Sequence, residues 1–527
     1  MTPADARSDA SADAPRPLAG VGFGTVPGGR RRDHLFPLFP ALRSPMISLL
    51  QKVSLAATAC SLLVSSVSAD TARIDFPRLG ELKTRASSEI ASSSWSIGCE
   101  TLDRGFAVYQ NFRDHLGPLG AKSVRLQSGW ARCEREPGVY NWAWLDEIVD
   151  DAIAQGVHPW LQLSYGNPLY AGGGDSGLGG GIPRSDEALA AWDRWARAVV
   201  TRYGDRVSAW EIWNEPDLKR RNDSSVETYT KLFIRTATMI REIQPHGKIY
   251  ALGLAGKLDY ASAFLERLKQ EGLLSLVDVI TIHGYPRNPD DLTNIDRLNE
   301  IIASHGHPIK VHQGETGAPS HHQDTAALRD ISWTENLQAK WNIRRMLAHH
   351  ARDIPFNLFT LADNHYRRND PQSGLTMGTN HKGLIQTNTD HTVARAKVTY
   401  HAASRVFSIF DDTLRPLAGI PSKHTSLREL AVDHYQRTED GARLVAIWFN
   451  DAPPSEANGV TRINLSLEKT NFTEPVWVDL LSGAVHAFPE GAWMQTEEEA
   501  AFVGLPVYDS PVLIAEKALL QIRPASN

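Results

Sequence analysis

The chain has 3 cysteines in 527 residues, too few for a disulfide-built scaffold. Its net charge is −6 and its body carries no long basic run, so a nucleic-acid partner, which requires clustered Lys and Arg against phosphate, is not expected. The first strand-like run is followed by Cys99-Glu100-Thr101-Leu102-Asp103 rather than a Gly-x-Gly-x-x-Gly turn, which excludes a Rossmann dinucleotide site there. The Gly-rich run 172–181 is not followed by Gly-Lys-Ser or Gly-Lys-Thr, so it is not a phosphate-cradling loop. No His-Glu-x-x-His occurs. The adjacent pairs His321-His322 and His349-His350 cannot aim both rings at one ion from a helix, and they read as surface histidines. Neither metal nor cofactor is expected.

What the chain does have is tryptophan: 14 in all, 11 of them between Trp95 and Trp341. Flat apolar rings with one N–H donor suit sugar stacking as well as core filling. Residues 1–45 show neither helical nor strand period. A short charged segment at 46–52, an apolar stretch over 53–67 and Val67-Ser68-Ala69 then read as a secretory signal peptide, too short and Ser-rich for a membrane span. Residues 1–69 are thus expected to be an extension and signal, and the mature protein to be secreted or periplasmic, with no membrane association beyond export. Removing their 7 basic and 4 acidic side chains leaves 48 against 57, a net charge of −9. Of the cysteines, Cys99 and Cys133 remain. An oxidising compartment permits a disulfide between them, and two separate buried thiols is the alternative.

From residue 95 to about 409 short β-rich runs alternate with amphipathic helices. The strands are expected at 95–100, 123–128, 158–165, 208–215, 249–254, 277–285, 309–315 and 356–362. Between them, positions such as Leu145, Ile148, Val149, Ala152 and Ile153 recur with a 3.6-residue period. Eight such units predict an α/β protein built on a closed eight-stranded β/α TIM barrel over 70–410. After residue 411 strand-like runs dominate, predicting a C-terminal antiparallel β-sandwich over 411–527 that braces the barrel.

Barrel enzymes gather their chemistry at the C-terminal ends of the strands. The fourth run ends Glu211-Ile212-Trp213-Asn214-Glu215-Pro216, and the seventh ends His312-Gln313-Gly314-Glu315-Thr316-Gly317. Strands four and seven face each other across the mouth, so Glu215 and Glu315 can converge on one substrate. A convergent carboxyl pair is what glycoside cleavage requires: one protonates the leaving oxygen while the other attacks carbon or activates water. Arg125, inside the second strand, is costly to bury without carboxylate partners. Glu315 and Glu211 are both within its range. Tyr165 and Asn167 after the third strand, and His365 in the long segment 363–393 after the eighth, are candidate sugar contacts.

Trp213-Asn214-Glu215-Pro216 resembles the acid/base motif of glycoside hydrolase clan A, the retaining β/α-barrel glycosidases. The pattern is most similar to family 39 and the related families 5 and 42, and the resemblance runs over residues 95–409 and on into the sandwich. It implies Glu215 as acid/base, Glu315 as nucleophile, Asn214 as the contact to the sugar 2-hydroxyl, and His283 or Tyr285 as partners of the nucleophile. Clan members commonly carry Trp at the end of strand eight, where this chain has Leu361-Ala362-Asp363. Trp130, just past strand two, is the alternative platform for a sugar ring. The function expected is a secreted retaining glycosidase acting on a β-linked xyloside, glucoside or galactoside, with carbohydrate as its partner. A silent glycan-binding barrel and a transglycosylase are the alternatives; oligomeric state is not legible.

Overall fold

The computed structural model describes residues 74–525, apart from 178–179, 219–223, 324–326 and 371–373. The expected signal segment lies outside the described residues. Eight parallel strands close into a barrel: β1 (Trp95–Gly98), β2 (Ser123–Gln127), β3 (His158–Leu163), β4 (Ala209–Ile212), β5 (Lys248–Leu254), β6 (Val279–His283), β7 (Lys310–Thr316) and β8 (Phe356–Leu358). Closure is made by β8, which pairs Phe356 with Trp95 of β1 on one side and Gln313 of β7 on the other.

The outer helices follow from apolar stripes and well-formed starts. Ser185, Ser225 and Thr334 each accept from the backbone N–H three residues on, capping helices Asp186–Tyr203, Val226–Ile243 and Glu335–His350. Several strands end earlier than their apolar pattern suggests. The ladder stops at Gly98, Leu163, Ile212 and His283, and the residues just beyond turn toward the barrel mouth.

The sandwich pairs an eight-stranded with a four-stranded antiparallel sheet. Strand Arg78–Leu82 lies inside the larger sheet, between Ala484–Ala487 and Ile522–Pro524. The segment before the barrel therefore belongs to the sandwich sheet, not to a barrel domain beginning at residue 70. Its alternation is hidden because Gly80 is its one buried residue.

Helix Glu335–His350 is wedged between barrel and sandwich. Lys340 Nζ donates to the Ser455 and Ala457 carbonyls and pairs with Asp509 at 2.7 Å. The indole N–H of Trp448 donates to Asp290, to which Arg344 also donates. This position corrects the surface reading of His349 and His350. No face of the helix meets solvent; His349 lies 3.2 Å from Gln313 Oε1, and His350 stacks on Trp95 with centroids 5.2 Å apart. His321 and His322 are exposed. The tryptophans also serve packing: Trp95, Trp130, Trp192, Trp195, Trp210, Trp213 and Trp341 are fully buried.

Candidate active site

Arg125 projects from β2 into the barrel, fully buried. Its Nε donates to Glu211 Oε2 at 2.8 Å, and its Nη1 to Glu100 Oε1 at 2.9 Å and Glu315 Oε2 at 3.1 Å. Nη2 donates to Asn214 Oδ1 at 2.8 Å. Both partners weighed from sequence are thus engaged at once. Burial works against this cation, but Glu211, Glu100 and Glu315 outweigh it and hold the guanidinium charged. Below it, the Trp160 ring lies 5.5 Å from the guanidinium carbon.

The end of β4 is bent by two non-glycine residues in the left-handed region, Trp213 at φ 70° and Glu215 at φ 50°. Such residues are uncommon and persist only where the surroundings over-determine them. Here Trp213 is held among Trp192 and Tyr165, and Glu215 N–H donates to the Gly253 carbonyl at 2.9 Å. Asp217 then accepts from the backbone of Ala255 and Lys257, tying the turn to the next loop. On β7, Gly314 lets the strand approach β6, since a Cβ there would sit 2.8 Å from Thr281 Cβ.

From β6, His283 Nδ1 lies 3.0 Å from Glu215 Oε1 and 3.6 Å from Glu315 Oε2. Beyond the same strand, the Tyr285 hydroxyl donates to Glu315 Oε1 at 2.7 Å. One donor atom each of Glu215, His283 and Glu315 fall within 4.8 Å of one another, the set of side chains dense enough to hold a metal ion among the described residues. Burial pushes the Glu315 carboxyl up, but His283, Arg125 and the Tyr285 hydroxyl together pull it below the ordinary carboxylate value. Burial opposes charge on His283 too, yet Glu315 and Glu215 raise it overall. The arrangement holds one carboxylate ionised beside a second carboxyl that reaches a shared imidazole.

Asn214 is gripped by the Arg125 and Gln162 donors on its Oδ1, while its Nδ2 donates to the Tyr165 hydroxyl at 2.8 Å. That leaves one amide hydrogen for a ligand. The structure thus brings together Glu215, Glu315, Asn214, Arg125, His283, Tyr285 and Tyr165. Three expected contacts it does not. Trp130 is fully buried between Tyr170, Trp192 and Trp195, with its indole N–H on Glu134 at 2.6 Å, so no sugar can stack on it. Asn167 spends its amide on the Glu134 carbonyl and on Leu169 N–H, folding its own loop. His365 is buried with both ring nitrogens against Thr379 and Thr387, locking the hairpin of Asn364–Asp370 and Gly374–Asn380.

Of the two readings of the cysteines, the structure has the separate buried thiols: both are free. Cys99 is buried beside Glu100, and Cys133 Sγ turns to the Ser128 carbonyl at 3.2 Å. Burial pushes the Cys133 thiol up to about 12.

Two site residues were not singled out from sequence. Glu100, two residues past β1, is buried with Oε2 unpartnered, and burial pushes its carboxyl up to about 7 against the pull of Arg125. Its carboxyl folds over Gly98, where a Cβ would lie 2.3 Å from Oε2. The signal available was a Glu closing strand one, the same signal that marked Glu215 and Glu315. Lys382 lies with Nζ 5.3 Å from the Tyr285 ring centroid, and burial pulls its ammonium down to about 7.

The model for "Glycosyl hydrolases family 39" matches residues 130–314, a stretch that contains Glu215 and stops one residue short of Glu315. A beta-xylosidase of Geobacillus stearothermophilus is 24% identical over 221 residues, which is 36% of this chain and 42% of that protein. The chain thus matches less than half the length of that relative. Among solved structures, a family 39 glycoside hydrolase from Bacteroides cellulosilyticus WH2 has a TM-score of 0.58 at 16% identity, covering 80% of this chain and 81% of its own. A family 39 enzyme from Xanthomonas axonopodis pv. citri has a TM-score of 0.52 at 14% identity, covering 86% and 99%. By a matched segment around Glu215 and by its barrel fold, the chain resembles the family 39 glycosyl hydrolases of clan A.

Proposed function

We propose that this chain is a β-glycosidase that works by double displacement with net retention. The observation that carries the reading is the carboxyl pair: oxygens of Glu215 and Glu315 approach within 4.8 Å across the mouth. Carboxyl groups about 5–5.5 Å apart suit direct attack, whereas inversion needs roughly 6.5–9.5 Å to seat a water. The two environments divide the labour. Glu315 is held ionised by Arg125, His283 and Tyr285 and is the nucleophile. Glu215, free of Arg125, protonates the leaving oxygen and then takes the proton from the water that releases the sugar. The spare amide hydrogen of Asn214 meets the sugar 2-hydroxyl. A silent glycan-binding barrel would have no need for this charge network.

The beta-xylosidase name of the Geobacillus relative makes aryl β-xylosides the first substrates to try. A 2,4-dinitrophenyl 2-deoxy-2-fluoro-β-xyloside should inactivate the protein with one sugar per chain, on the peptide bearing Glu315. Labelling of another carboxyl, or an inverted first product by proton NMR, rules the mechanism out. Export is proposed on the strength of the 46–69 segment alone, and N-terminal sequencing of protein recovered outside the cytoplasm tests it.

A further inference from the structure

Beside the candidate active site, the loops after β1, β2 and β3 line an open cavity of about 500 Å³, within the range of small-ligand clefts. Its lining bears Arg104, Arg132 and Arg135 against one acid, Asp103, in a chain of net charge −6. It shares a wall with the candidate active site through Tyr165. The hydroxyl of that residue holds Asn214, and the Arg104 guanidinium carbon lies 4.9 Å from its ring centroid.

The three arginines are only partly satisfied. Arg104 pairs with Asp103 at 3.2 Å and donates to Gln127, yet its Nε is buried with no partner. Arg132 lies 4.2 Å over the Trp144 ring and donates to the Leu102 carbonyl. Arg135 is exposed. Neither Arg132 nor Arg135 has an ion pair among the described residues. Burial pulls the Arg132 guanidinium below its ordinary value and repulsion from Arg135 adds to this, with Asp103 opposing. An anion would relieve that repulsion. Guanidinium forks match two oxygens of a carboxylate or phosphate.

We propose that this cavity is a subsite for an acidic substituent, carboxylate or phosphate, on a sugar neighbouring the one whose bond is cleaved. The proposal rests on the glycosidase reading above and narrows its substrate class. Calorimetric titration of the full chain with sodium glucuronate, inorganic phosphate and neutral glucose tests it without turnover. One of the two anions should bind, glucose should not, and added salt should weaken the anion. Arg132→Gln and Arg135→Gln should each lower that affinity roughly tenfold to a hundredfold, as expected for a lost charged hydrogen bond. Arg135 is exposed, so its variant stays informative if loss of the Arg132–Trp144 contact impairs folding. Preference for glucuronate assigns a carboxylate, and preference for phosphate assigns a phosphate. Equal binding of anion and glucose, no binding of either anion, or an unchanged affinity in Arg135→Gln overturns the proposal. Failure to hydrolyse aryl β-xylosides, β-glucosides and β-galactosides alike, with anion binding intact, would defeat the glycosidase reading alone.

Discussion

Glu100→Gln reads the charge balance of the barrel mouth through stability. The Glu100 side chain is 2% exposed, accepts from Arg125 at 2.9 Å and Asn357 at 3.4 Å, and keeps Oε2 unpartnered. Burial raises its pKa from an ordinary 4.5 to about 7; Arg125 restrains the rise and Glu315 adds to it. A carboxyl whose folded value is raised binds its proton more tightly in the folded state. Its favourable contribution is complete below the unfolded value and disappears as pH climbs through the folded one. At about 1.4 kcal/mol per unit, that climb costs the native protein about 3 kcal/mol by about pH 8. Gln has the shape of the protonated acid and does not titrate. Its buried amide adds a cost that is the same at every pH, so the informative quantity is the change in the stability difference. Chemical denaturation followed by tryptophan fluorescence, run on both proteins at intervals from about pH 4 to about pH 8, should show the variant gaining about 3 kcal/mol on the parent. A constant offset across that range would refute the assignment of a proton to Glu100.

Tyr285→Phe removes the hydroxyl that donates to Glu315 and helps hold its carboxyl down. Its kcat/KM on an aryl β-xyloside should fall at least tenfold, by about 1.5–3 kcal/mol, and the acid limb of the pH profile should move to higher pH. An unmoved limb would mean that the phenol does not tune the nucleophile. Lys340→Met strips Asp509 and the Ser455 and Ala457 carbonyls of a buried cation, and should cost about 3–5 kcal/mol in urea denaturation. A loss well under about 1 kcal/mol would show that this lysine does not fasten the sandwich. Alkylation in denaturant without reductant should label both Cys99 and Cys133, and a linked peptide by mass mapping would contradict the two free thiols.

The barrel was legible because each strand–helix unit carries its own local signal. The apolar period around Leu145 belongs to the buried face of helix Ala143–Ala154. Strand Arg78–Leu82 was not legible. It is five residues long with one buried position, and its partners are strands about 400 residues downstream. No local pattern records such a pairing.

The site divides along the same line. Strand-end carboxyls follow from position in the chain, so Glu215 and Glu315 were readable, as were Asn214, His283 and Tyr285 through the resemblance. Trp130, Asn167 and His365 failed because residue type and proximity to a strand end do not say whether a side chain faces the mouth or its own loop. Each is spent on a local hydrogen bond that closes the scaffold: the indole on Glu134, the amide on the Glu134 carbonyl, the imidazole on Thr379 and Thr387. Arg125 shows the deeper reason. Sequence could weigh Glu211 against Glu315 as its partner, but a guanidinium has five N–H donors, and in a closed barrel several strands reach it together. Three carboxyls from β4, β7 and the end of β1 share that one cation. Three carboxyls around one Arg, two of them fully buried, leave negative charge that the interior cannot hold cheaply, so the carboxyl with the fewest donors is where a proton belongs. Glu315 has Tyr285 and His283 besides Arg125, and Glu211 has Gln162 and Thr281. Besides Arg125, the one side chain among the described residues that donates to Glu100 is Asn357, at a long 3.4 Å, and Oε2 is left without a partner, so Glu100 is the acid that yields.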